Sequence, residues 1–154
     1  MNNIVRENLG RIINDKKITQ KELSQKLNLS RTTINKHLSH SQDSNPTIDN
    51  LFKYAEALDI DFPQVFSAEP NVELLFDQNM TLEKYMNIYV QNLKYKLRGK
   101  SQSSLSYEEG IRESTISELL NRKNNNPKLN TLTVISEQLD TRLELMFSRG
   151  GDIL

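Results

Sequence analysis

Apolar residues near the start of the chain recur at helical intervals. Ile4, Val5, Leu9, Ile12 and Ile13 form one stripe with polar residues on the remaining faces, and Tyr85, Ile88, Tyr89, Leu93 and Leu97 form a second. Each stripe is followed by shorter helical segments with recognisable starts. Thr19 with Glu22 three residues on has the form of a capping box, and Ser101 and Ser104 hold the equivalent places. Asn28 and Gly110 are residue types that tolerate a left-handed backbone, so each ends a second helix in a sharp turn. Ser30 caps a third helix, and Asn45-Pro46-Thr47 and Asn126-Pro127 lead into a fourth.

The two halves also align with each other. TQKELSQKLNLSRTTINKHLS, from Thr19, lies over SQSSLSYEEGIRESTISELLN, from Ser101, without a gap. Leu23 pairs with Leu105, Ser24 with Ser106, Thr33 with Thr115, Ile34 with Ile116 and Leu38 with Leu120. After a one-residue shift NPTIDNLFKYAEALD lies over NPKLNTLTVISEQLD. The pattern predicts a mainly α protein of two tandem modules, residues 1–78 and 79–154, related by a pseudo-twofold axis. Phe62, Val65 and Phe66 suit a short fifth helix in the first module. VELLF at Val72 to Phe76 and LELMF at Leu143 to Phe147 read as short β-tending runs. Since a lone ribbon is marginal in water, the two are expected to pair as antiparallel strands that join the modules, or to pair with another chain.

Charge changes this picture. The sequence of 154 residues has no net charge, which argues against a polyanionic partner. Yet Met1 to His40 carries a formal +5, Ser41 to Gln78 −7, Lys84 to Lys128 +5 and Leu129 to Leu154 −2, so basic and acidic blocks alternate twice. Cysteine is absent, which removes disulfides and thiolate metal sites, and no apolar run has the length of a signal peptide or membrane span. A cytoplasmic protein without membrane attachment is expected.

The spacing Gln-x-x-Leu-Ser, a turn residue and then Thr-Ile with Leu four residues on resembles the helix-turn-helix of the Cro and phage-repressor (XRE) family, once per module. The resemblance implies that Gln20 and Gln102 contact phosphate and that the start of each third helix faces base edges in the major groove of double-stranded DNA. Those positions are Ser30, Arg31, Thr32, Thr33, Asn35 and Lys36 in the first module, and Arg112, Glu113, Ser114, Thr115, Ser117 and Glu118 in the second. Arg31 or Lys36 suits guanine and Asn35 suits adenine. Lys16, Lys17, Lys100, Arg122, Lys123 and Lys128 flank the helices and suit the phosphate backbone. Two departures stand out. Glu109 replaces the core residue Leu27, and Glu113 and Glu118 put carboxylates towards a polyanion, with Arg112, Arg122 and Lys123 bracketing them.

Catalytic chemistry finds no support. There is no Gly-rich phosphate loop, no serine with triad partners, and the adjacent Glu108 and Glu109 point apart on a helix. His37 and His40 lack a third ligand, so neither metal nor cofactor is expected. The acidic stretch from Asp59 to Glu73 reads as an extension of the first core or as a partner surface. Three functions fit. One is a sequence-specific binder whose two recognition helices read inverted half-sites, as repressors or DNA-processing accessory proteins of phages and conjugative plasmids do. The second is a protein-interaction module of antitoxin or antirepressor type. The third is a hybrid in which only the first module reads DNA.

Overall fold

The computed structural model describes residues 2–39, 45–98 and 113–148. The chain divides into two compact units, Met1–Gln78 and Asn79–Leu154. In the first unit α1 (Asn2–Asp15), α2 (Gln20–Leu27), α3 (Arg31–Leu38) and α4 (Ile48–Leu58) are followed by a 3-10 helix at Phe62–Phe66. In the second, α5 (Leu82–Lys96) is followed by α6 (Glu113–Leu120), α7 (Leu129–Gln138) and the single turn α8 (Leu143–Met146). No helix among the described residues is long and apolar enough to cross a membrane.

Side-chain caps set the helix starts. Thr19, Ser30, Thr47 and Thr81 each have extended backbone and accept, through the hydroxyl, the amide of the third residue on. Left-handed residues set several ends: Asn28 closes α2 at φ 54°, Asp59 closes α4 at φ 53°, and Asp140 follows α7 at φ 51°. The last two turns match in detail. The Ile60 amide donates to Ala55 O at 3.0 Å, and the Thr141 amide to Ser136 O at 3.0 Å.

The predicted stripes form the cores. Val5, Leu9 and Ile12 are buried in the first unit beside Leu23, Leu27, Ile34, Leu51 and Tyr54; Tyr85, Tyr89, Leu93 and Leu97 are buried in the second with Ile116, Leu132 and Ile135. In each unit a buried or half-buried asparagine ties the first helix to the closing segment. Asn8 Nδ2 donates to Val65 O at 3.0 Å and Ser67 O at 2.7 Å, while its Oδ1 accepts from Arg11. Asn92 Nδ2 donates to Met146 O at 2.9 Å, with longer contacts to Leu145 O and Ser148 O.

The expected strands do not form: among the described residues there is no β-strand. LELMF is read by period 3.6 instead of period 2. Leu143, Met146 and Phe147 are the buried positions, at i, i+3 and i+4, and Phe147 lies against Tyr89 at 5.2 Å between ring centroids. VELLF is a hydrogen-bonded loop whose polar backbone is already engaged, with Leu74 O accepting from the Asp61 amide at 2.9 Å and the Phe76 amide donating to Asp59 Oδ1. Phe76 packs on Phe52, which packs on Phe62. A link between modules, or to another chain, through paired strands at these two runs therefore has no basis in the fold. Phe62, Pro63, Val65 and Phe66 are buried, as an extension of the first core requires. The position of Glu109 lies outside the described residues.

Replacing Asn8 by alanine leaves two buried carbonyls without a donor. A urea titration of Asn8→Ala is expected to show a loss of about 1–3 kcal/mol, and an unchanged midpoint would mean that water satisfies Val65 and Ser67 equally well.

Candidate nucleic-acid interface

The turn between α2 and α3 is closed by Ser24. Its carbonyl accepts the amides of Asn28 and Leu29, and its hydroxyl donates back to Leu29 O. This bonding adds to the steric reason for a small residue there. Ile34 at 0% exposure anchors α3, which packs against α1 and α2. Around that anchor Arg31, Thr32, Asn35 and Lys36 are exposed and Thr33 is half-buried. Ser30 is spent on the cap, accepting from the Thr33 amide at 3.1 Å and sharing a hydrogen bond with its hydroxyl. Gln20, at the start of α2, donates through Nε2 to Asn35 Oδ1 at 2.8 Å, so two residues fifteen positions apart act as one polar unit on the open face.

The lysines of the α1–α2 turn take different roles. Lys17 is exposed at φ 53° and stays available to a phosphate. Lys16 instead donates through Nζ to Leu58 O, where a cation offsets the unsatisfied carbonyls and negative dipole end of α4.

The second unit places Glu113, Ser114 and Glu118 on the exposed side of α6, with Thr115 and Ser117 half-buried and Ile116 and Leu119 fully buried. Ser117 Oγ accepts from Asn121. Lys123 and Lys128 are exposed. Arg122 does not reach the glutamates through any hydrogen bond found. Its guanidinium bonds Asn87 Oδ1 on α5 and Asn125 Oδ1 at 2.9 Å. Lys100, Gln102 and Arg112 lie outside the described residues, as does His40.

The far ends of α3 and α6 are held by arginines, Arg6, which no motif pointed to, and Arg122, which the sequence suggested for a different role. In the first unit Arg6 of α1 donates to Ser39 O at 2.6 Å, just past α3, and to Asn3 Oδ1. In the second the arginine comes from the other side, Arg122 of the loop bonding Asn87 of the first helix. The spacing of Arg6 from Asn3 was the only trace in the sequence. His37 was legible as a histidine, but its partner is Tyr54: Nδ1 and the hydroxyl are 3.0 Å apart, with the rings edge to face. In the repeat alignment Leu119 and Ile135 stand at these two places, both at 0% exposure. Among the described residues no cluster of His, Cys, Asp and Glu is arranged for a metal ion.

Residues 9–65 match the helix-turn-helix family, a span from the middle of α1 through the 3-10 helix. The first unit accordingly carries a helix-turn-helix domain, with α2 and α3 as its two crossing helices. No curated protein and no solved structure matches the chain.

Burial, and then the neighbouring Lys36 charge, hold the His37 pKa below its ordinary value. The unfolded chain therefore binds the proton more readily than the folded one. Stability that is complete above the unfolded pKa, about 6.5, should fall as the pH drops below it. His37→Gln should flatten that part of the curve in a thermal or urea series across pH 5–8; an unaltered acid-side slope would assign the dependence to other groups.

Proposed function

We propose that the protein is a non-catalytic, sequence-specific binder of double-stranded DNA that acts as a regulator, with α3 as the reading helix of the first unit and α6 as that of the second. The observation that carries the reading is the helix-turn-helix match over residues 9–65 on a unit whose α3 exposes Arg31, Thr32, Asn35 and Lys36 around one buried anchor. Arg31 and Lys36 suit the paired acceptors of guanine, and Asn35, steadied by Gln20, suits adenine. Lys17 supplies phosphate attraction without sequence information.

The two-headed form of this reading, a module duplicated within one chain, rests on the repeat alignment. It is supported by features that recur in both units: an eight-residue helix around a buried isoleucine, a left-handed aspartate after α4 and after α7, and an asparagine from the first helix on the closing segment. Such a chain would read two half-sites, as a transcriptional repressor or a DNA-processing accessory protein of a mobile element does.

A second reading is favoured by one observation. Glu113 and Glu118 both lie on the open side of α6, while the Arg122 guanidinium is bonded to the amide oxygens of Asn87 and Asn125 and to neither glutamate. Under this hybrid reading the first unit binds DNA and the second contributes little to sequence choice.

Footprinting on random genomic fragments at physiological salt separates the readings, because non-specific affinity fades there and the protected length counts the heads. Arg31→Ala or Lys36→Ala is expected to weaken specific binding roughly tenfold, as loss of one good base contact does. Alanine at Ser114 and Ser117 should shorten protection to one half-site if α6 reads bases. An unchanged footprint would leave α3 as the sole reader, and no protected site at all would remove the DNA reading.

A further inference from the structure

Three of the four large apolar residues that the described chain leaves exposed lie in one place, the fourth being Tyr95 on α5. Val72, Leu74 and Leu75 are 46%, 45% and 61% exposed, and they lie within four consecutive positions. Their exposure is not a consequence of a loose segment. The Asn71 amide donates to Gln64 Oε1 at 2.7 Å, and the Asn71 side chain accepts the Glu73 amide at 3.1 Å. Leu74 is tied through both backbone groups, to Asn71 O and from the Asp61 amide, and Phe76 is buried against Phe52. A loop fixed at both ends thus holds three hydrocarbon side chains in water. With both backbone groups of Leu74 and the Glu73 and Phe76 amides engaged, it offers side chains more than a strand edge.

The surroundings select what can cover this face. From Asp59 to Asp77 there are five acidic residues and no basic one, and Glu69 and Glu73 are exposed within the same loop. DNA and anionic membranes are repelled by that charge. A second copy placed symmetrically would set the same carboxylates against each other, and a head-to-tail contact would need a basic complementary surface that this acidic stretch does not itself supply. Three side chains also make a patch much smaller than the roughly 800 Å² per partner of a standard interface. This is the footprint of a single helical or extended segment with apolar anchors flanked by cations.

We propose that Val72, Leu74 and Leu75, rimmed by Glu69 and Glu73, form a docking site for a cationic amphipathic segment of a partner protein. None of these residues belongs to α2 or α3, so the site and the DNA-reading helices are tested independently.

The test uses the full chain and two labelled synthetic amphipathic helices with the same leucine stripe, one carrying lysine and the other glutamate on its polar face. Fluorescence anisotropy should show binding of the Leu/Lys peptide and none of the Leu/Glu peptide. Leu74→Ser with Leu75→Ser should weaken the former roughly tenfold or more, as expected from losing two apolar contacts. Glu69→Gln with Glu73→Gln should weaken it severalfold at low salt and little at high salt. Circular dichroism checks that the variants, altered only at exposed positions, keep their helix content. Equal binding of both peptides, binding indifferent to the serine changes, or no binding of either would overturn the proposal. So would sedimentation showing that the serine changes turn a dimer into a monomer, which would assign the face to a second copy.

Discussion

A helix of eight residues does not hold its shape in water, because the cost of nucleating it is spread over too few hydrogen bonds. Both α3 and α6 are of that length. Each must therefore be fixed by tertiary contacts, yet a helix that enters a DNA groove needs most of its surface open. The compromise in α3 is one fully buried side chain, Ile34, with fastenings at the two ends: the Ser30 cap at the start, and the Arg6 bond to Ser39 with the His37–Tyr54 pair at the finish. Between them Arg31, Thr32, Asn35 and Lys36 are left exposed. The Ser24 turn completes the arrangement by fixing where α2 stops and α3 begins.

How much of this could be read from the sequence depended on how local the cause was. Caps at Thr19, Ser30 and Thr47 and the left-handed Asn28 are decided within a few residues, so residue type and position were enough. The apolar stripes of α1 and α5 were long enough for a helical period to be unambiguous. Five residues such as LELMF are not, since the same letters satisfy period 2 and period 3.6; burial of Leu143, Met146 and Phe147 against the first helix of the unit decided in favour of a helix. The contacts that hold the candidate site were the least legible. Asn8 reaches residues 57 and 59 positions away, His37 one 17 positions away and Arg122 one 35 positions away, and no local rule ties such pairs together. The groove-facing residues of α3 were legible by contrast, because exposure around a single anchored position follows from helical geometry alone.

Charge counted by segment was a fair guide to regions and a poor one to individual residues. The basic block at the start of the chain contains Lys16, which is turned onto the end of α4 and serves the fold. The acidic block contains the hydrocarbon side chains of Val72, Leu74 and Leu75, which the net charge conceals. Composition thus separates a part of the surface suited to phosphate from one suited to cations. It does not say which side chains remain available once the helix ends have been satisfied.

The same limit governs the glutamates of α6. On sequence alone Arg112, Arg122 and Lys123 bracket them, and the net effect depends on where those cations lie. Holding the far end of a two-turn helix against the first helix of its unit takes an arginine in either unit, however, and the two differ in where that arginine originates. In the first unit Arg6 comes from α1 and leaves the cations of α3 uncommitted. In the second Arg122 comes from the loop after α6 and is bonded to Asn87 and Asn125, keeping its charge. The scaffolding thus differs while the count of charges beside α6 is unchanged by it, and any preference the α6 face has for DNA is set by Ser114 and Ser117 with the cations of Arg122, Lys123 and Lys128 acting against Glu113 and Glu118.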